Sequence, residues 1–146
     1  VHTGQVHLGT GGAASRIDVS IRGTSVVMAE LLQTLTKPFG ITLLIDDSSA
    51  QHLKESEELR ALGSSSSFQK RPINLYQVIA AEESSLRTQV IQHLDAFTSA
   101  RLRLESGFIE EAASEFALLK KFLSADPVFR HFEMRAEVEL NNRRKP

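Results

Sequence analysis

The chain has 146 residues, 17 basic and 18 acidic side chains, a net charge of -1, 41% hydrophobic residues and no cysteine. That length allows one domain, or one with a substantial appendage, and excludes a large multidomain enzyme. The composition excludes disordered and collagen-like chains, and the lack of cysteine excludes a disulfide framework or thiolate metal site. Charge is balanced in each half: seven basic and seven acidic residues in 1–80, ten and eleven in 81–146. Without clustered Lys and Arg there is no electrostatic footprint for nucleic acid or an anionic membrane. No apolar run nears the roughly 20 residues of a spanning helix. The start VHTGQVHLG has neither the charged opening nor the apolar core of a signal peptide, so the expected location is the cytoplasm.

Seven of the eight glycines lie before residue 64, so the front is punctuated by turns and the back nearly free of helix breakers. In chain order, Val6 and Leu8 share one side of a strand over Gln5–Gly9, which Gly9, Gly11 and Gly12 break. Ile17, Val19 and Ile21 alternate with polar residues in a second strand, and the spacing predicts an antiparallel hairpin. Val27, Leu31 and Leu35, with Met28 and Leu32 beside them, predict a helix over 24–36, capped by Thr24 or Ser25 and ended by Pro38 and Gly40. Ile41–Ile45 is a short β-branched run expected of a strand covered on both faces. Ser48 or Ser49 is expected to cap a short helix through about Leu59, and Ser64–Ser67 reads as a flexible loop. Ile73, Leu75 and Gln77, with Pro72 at the start, predict a last strand. The order strand, strand, helix, strand, helix, strand implies an α/β or α+β fold, a sheet layer with helices against one face. A boundary is placed near Ala80–Ser85, where Glu82, Glu83 and Ser84 open a helical pattern.

The ordered set His2-Thr3-Gly4, a strand to Gly9, Arg16-Ile17-Asp18, Gly23 opening a helix, Leu35–Gly40 and Pro72–Tyr76 resembles the C-terminal half of a class III adenylate/guanylate cyclase domain, over about residues 1–80. The resemblance implies a ferredoxin-like layer whose first half, with the metal-binding aspartates, lies upstream, and an uncovered strand edge that a partner chain or that upstream segment completes. Cyclases use two metal ions to activate a ribose hydroxyl and neutralise pyrophosphate. By the resemblance, the aspartate that recognises the purine is replaced by Thr24, the asparagine that orients the ribose by Val27, and the arginine that stabilises the transition state by Leu31. Valine has no donor for a ribose oxygen, and leucine cannot set positive charge on a phosphate. The family's phosphate-contacting lysine turn falls over Ser66–Gln69, with Lys70 and Arg71 displaced from it. The resemblance thus implies a degenerate module with no catalytic residue of its own, doubtful nucleoside triphosphate binding, and no cofactor, magnesium or manganese entering only where a complete site forms. Val27 and Leu31, four apart, would turn a polar dimer-interface site into an apolar packing stripe.

The back part reads as three helices. Leu86, Val90, Leu94 and Phe97 open a helix that continues to Gly107, and Phe129, Phe132 and Ala136 face inward on one from Val128 to about Leu140. Between them, Gly107–Ala112, Phe116 and Asp126-Pro127 resemble the turn and second helix of a tetratricopeptide repeat, irregular and single; one repeat cannot form a solenoid and must bury its apolar face elsewhere.

Other eye-catching residues have plain readings. His2 and His7, five apart on a strand, point to opposite faces and cannot share a metal. Asp46-Asp47 with Ser48 and Ser49 reads as a loop and helix cap, and Gly9–Gly12 lies between strands with no lysine after it, unlike a phosphate cradle. Arg143-Arg144-Lys145 reads as a solvated end, and the five histidines make no Ser-His-Asp set. Three functions stay open: a non-catalytic cyclase-homology module acting in signalling by association with a protein partner or itself, its tail a protein-binding surface; part of an active cyclase making cAMP or cGMP with residues from a missing segment or partner chain; or a helical-repeat adaptor.

Overall fold

The computed structural model describes residues 1–13, 16–53, 58–68 and 71–144, with side chains outside 12–18 and 66–71. Strands β1 (His7–Ala13) and β2 (Arg16–Arg22) form the expected antiparallel hairpin, with Leu8 opposite Ile21 and Thr10 opposite Val19. The first strand does not stop at Gly9. It runs on through the glycines because β2 supplies the ladder hydrogen bonds and a residue without Cβ is tolerated in a paired strand.

Helix α1 (Thr24–Phe39) follows Gly23, and no side chain caps it. The predicted cap fails because Ser25 spends its hydroxyl on the Gln5 carbonyl, at 2.7 Å. At the other end Pro38 sits inside the last turn rather than beyond it, and Gly40, at φ +64°, closes the helix with amide bonds to Thr36 and Lys37. The buried stripe is Met28 and Leu32, with Leu31 and Leu35 half-buried beside it. It is rotated by one residue from the predicted one, which leaves Val27 exposed.

Strand β3 (Leu44–Asp46) is short and fully buried, and α2 (Asp47–Ala50) is a single turn. Asp46, not a serine, caps α2 by accepting the Ser49 amide at 3.2 Å. The predicted helix through Leu59 ends at Ala50. Residues 54–57 lie outside the described ones, and Leu59 opens a strand.

The largest departure is β4 (Leu59–Phe68), a strand over the serines read as a loop. It pairs antiparallel with β5 (Arg71–Val78), setting Ser64 opposite Asn74 and Ser65 opposite Ile73, so a tertiary partner overrides weak strand propensity. Pro72 is the second residue of β5, not the first. The sheet order is β3-β5-β4, separate from the β1–β2 hairpin. The fold is α+β.

After a 3₁₀ turn (Ile79–Ala81), the tail has four helices where three were predicted: α3 (Ser84–Gln92), α4 (Leu94–Glu105), α5 (Ile109–Leu123) and α6 (Pro127–Arg143). His93 divides the first predicted helix. Its ring stacks on Phe122 with centroids 4.3 Å apart, which fixes the bend. Gly107 turns the chain at φ +84°, and the α6 end is tied back to it, the exposed Arg143 donating to the Gly107 carbonyl at 3.0 Å. Lys145 and Gln69-Lys70 lie outside the described residues.

Sheet and tail share one core. Leu32, Leu44, Leu62 and Leu75 join Phe97, Phe116, Phe129 and Phe132 in a single buried cluster that crosses the Ala80–Ser85 stretch. Phe97 meets Phe116 and Phe132 edge-on, with centroids 6.2 and 5.6 Å apart, the favoured geometry for ring quadrupoles. Inside this core lies Arg60 of β4, 0% exposed. Its Nε donates to Gln77 at 2.8 Å and both terminal nitrogens donate to the Asp126 carboxylate, while the guanidinium lies 4.8 Å from the Phe97 ring centroid. Asp126 also accepts the Val128 amide at 3.0 Å, capping α6, and Pro127 takes the first helical position. A buried charge persists only when paired and fully hydrogen-bonded, and this one is.

Candidate functional site

The resemblance directs attention to the start of α1. Gly23 leads β2 into the helix at φ +141°, with the Gln5 carbonyl only 3.4 Å from where a Cβ would stand. From that turn Thr24 is exposed, Val27 is 51% exposed and Leu31, one turn on, is half-buried against the core. These three side chains bring one hydroxyl and two aliphatic groups, with no charge and no amide. Leu8, Val19 and Ile21 of the hairpin are exposed as well, and Leu8 and Ile21 form a cross-strand pair. The hairpin and the start of α1 thus carry four exposed large apolar side chains, Leu8, Val19, Ile21 and Val27.

A second cluster gathers at the end of β3. His2 Nδ1 lies 2.7 Å from Asp46 Oδ2 and 2.9 Å from the Ser48 hydroxyl, which donates to Asp46 Oδ1 at 2.8 Å. These are the three residue types of a nucleophilic triad, in an arrangement that cannot act as one. Serine and aspartate both meet Nδ1 and neither meets Nε2, so the ring does not bridge them through its two nitrogens as a proton relay requires. Burial alone would raise the Asp46 carboxyl, but hydrogen bonds from Ser48 and His2, the His2 charge and the Ser49 amide outweigh it and hold it below the ordinary carboxylate value. Beside it, Asp47 accepts from the Tyr76 hydroxyl at 2.9 Å and from both Asn74 donors at 3.3 Å. Burial first, then the Asp47 hydrogen bond, push the Tyr76 hydroxyl above its usual range. Asp46 thus serves as the helix cap that the plain reading of the motif expected, though from the end of a strand rather than a loop, while Asp47 is a strand tether that reading did not include. His7 opens β1, while His2 precedes it and lies against Asp46, so the two histidines do not share a strand. Among the described residues no group of three or more His, Asp and Glu comes together in a metal-holding arrangement, and no helix is long and apolar enough to cross a membrane.

Local sequence could not have announced the His2–Asp46 contact, made across 44 positions. The Arg60–Asp126 pair was half-visible: Asp126-Pro127 is a helix-opening signature, yet it reads equally as the close of the preceding segment.

Against known proteins, the chain is 36% identical over 84 residues to an adenylate cyclase of Anabaena cylindrica, a match covering 55% of this chain and 17% of that protein. No protein-family profile matches the chain, and no solved structure matches it. The chain therefore contains a cyclase-related region, and it spans only a small part of the relative's length.

Proposed function

We propose that this chain is a non-catalytic cyclase-related module that works in signalling by associating with a second cyclase-related domain, with its helical tail as a further protein-binding surface. The observation that carries this reading is the α1 face. Where the resemblance expects a purine-binding aspartate, a ribose-orienting asparagine and a phosphate-stabilising arginine, it has Thr24, an exposed Val27 and Leu31. Such a face offers a nucleotide no donor fork and no cation, but it suits an apolar partner surface. Exposed Leu8, Val19 and Ile21 on the neighbouring hairpin add to it. On the tail, exposed Leu118 and Phe122 of α5 and the Gly107–Phe116 pattern, similar to part of a tetratricopeptide repeat, support the second surface. Neither nucleotide nor divalent metal is needed for this role.

The identity to a protein named adenylate cyclase favours one competing reading, a share in an active composite site. Titration calorimetry with adenosine and guanosine triphosphates in magnesium or manganese separates the two. No binding is expected, and measurable affinity or cyclic nucleotide formation would overturn the proposal. Sedimentation of the Val27→Asp variant tests association: the complex with a second copy should weaken, and unchanged association would overturn the assignment of this face as the interface.

A further inference from the structure

A cavity of about 310 Å³ opens where α1, the β4–β5 sheet and α6 meet. It lies at the C-terminal end of α1, away from Thr24 and Val27, and no reading of the sequence drew on it. Its floor is apolar, built by Leu62 of β4, Phe39 of α1 and Phe132 of α6. The walls are aromatic: the Phe39 ring lies 4.7 Å from that of His131 and 6.2 Å from that of Phe132. The rim is polar, with Ser64, Glu105 and Arg135 around it.

The charges at the mouth are arranged unevenly. Glu105 is engaged by Arg101 at 2.6 Å, and Arg101, 5% exposed, has an Nε with no hydrogen-bond partner. Arg135 gives its Nε to Glu139 at 2.8 Å, and its two terminal nitrogens make no hydrogen bond among the described residues. Of the two charged side chains that line the cavity, Glu105 is thus engaged by a cation while Arg135 keeps its two terminal nitrogens. We propose that this cavity binds a small carboxylate with an aromatic body, its ring on Phe39, Leu62 and Phe132 and its carboxylate on the Arg135 terminal nitrogens and the Ser64 hydroxyl. A planar guanidinium fork matches a carboxylate, and the nearby Glu105 and Glu139 favour a singly charged head over a phosphate dianion. Pockets of this size, apolar with a few convergent polar groups, suit compact ligands. A ligand seated here touches α1, the sheet and α6 at once, so it stabilises their docking by mass action.

The probes are 3-phenylpropionate and its neutral amide, titrated into the intact chain and followed by methyl NMR and thermal unfolding. The carboxylate should shift the Leu35 and Leu62 methyl resonances and raise the Tm, with the amide binding about tenfold more weakly. Arg135→Gln, at an exposed position that leaves the core intact, should bring the two probes to within about twofold of each other. Ser64→Ala should weaken the carboxylate and spare the amide. Equal affinity for both probes, a preference that survives Arg135→Gln, shifts confined to the α4–α5 groove around Ala96 and Leu118, or no binding at about 10 mM would each overturn the proposal.

Discussion

The joint between sheet and tail and the face formed by the hairpin and the start of α1 are built from similar residues to opposite ends. At the joint, leucines and phenylalanines are buried to completion, and a guanidinium is enclosed with its carboxylate. On the α1 face, valines, leucine and isoleucine are exposed, with no element among the described residues over them. The lesson is that hydrophobic content alone separates neither role. What separates them is whether a second element of the same chain arrives to cover the surface, and here the tail covers one side only.

Breaking the joint should cost most. Asp126→Ala strands Arg60 in the core and removes the α6 cap, and the expected loss is about 3–5 kcal/mol in a urea unfolding experiment. The double variant Arg60→Met with Asp126→Leu should recover much of it, since well-packed apolar side chains often replace a buried ion pair without loss. Phe132→Ala removes the ring shared by Phe39 and Phe97 and should cost about 3–5 kcal/mol by the same measurement. Gly40→Ala is expected to lose about 1–3 kcal/mol. There φ is +64° and a new Cβ would lie 2.8 Å from Pro127, so helix-end strain and an α1–α6 clash coincide.

A smaller, pH-dependent effect comes from His131. Burial first, and then the Arg135 charge, hold its imidazole below the ordinary value of 6.5, against a hydrogen bond to the Pro38 carbonyl that works the other way. A group whose folded value is depressed contributes stability above its unfolded value and loses it as pH falls toward the folded one. Stability should therefore decline as pH drops below about 6.5, and His131→Phe should flatten that limb in thermal melts. Asp46, also held down, acts only in the carboxylate range below 3.8, so the two limbs are separable. Least affected should be the open face: Val27→Ser or Ile21→Ser should alter unfolding free energy by no more than about 0.5 kcal/mol while reducing association.

These two regions were not equally legible in the sequence. Helices α1, α5 and α6 announced themselves because apolar residues at three and four spacings must share a side, and Ala112, Phe116, Phe129, Phe132 and Ala136 are all buried as that rule requires. Identities at Thr24, Val27 and Leu31 were legible too, but periodicity set Val27 on one stripe with Leu31 and Leu35, and only the packing of Met28 and Leu32 shows that it stands exposed. Strand β4 was hidden because serines carry loop propensity and its pairing with β5 is a tertiary contact that local sequence does not announce. Arg60 was hidden for a different reason. An arginine is ordinarily exposed, and the carboxylate that permits its burial is 66 positions away.

The serine strand has one further consequence, for behaviour at high concentration. β4 and β3 are the two edges of the three-stranded sheet, and an open edge is a template for neighbouring molecules to add strands. β3 offers only three residues. β4 is long enough to invite such growth, but register shifts at Ala61/Gly63 and Ser65/Phe68 interrupt its ladder. An incoming strand would find no unbroken row of evenly spaced partners there, so the segment with the poorest strand propensity doubles as a guard against fibril-like assembly.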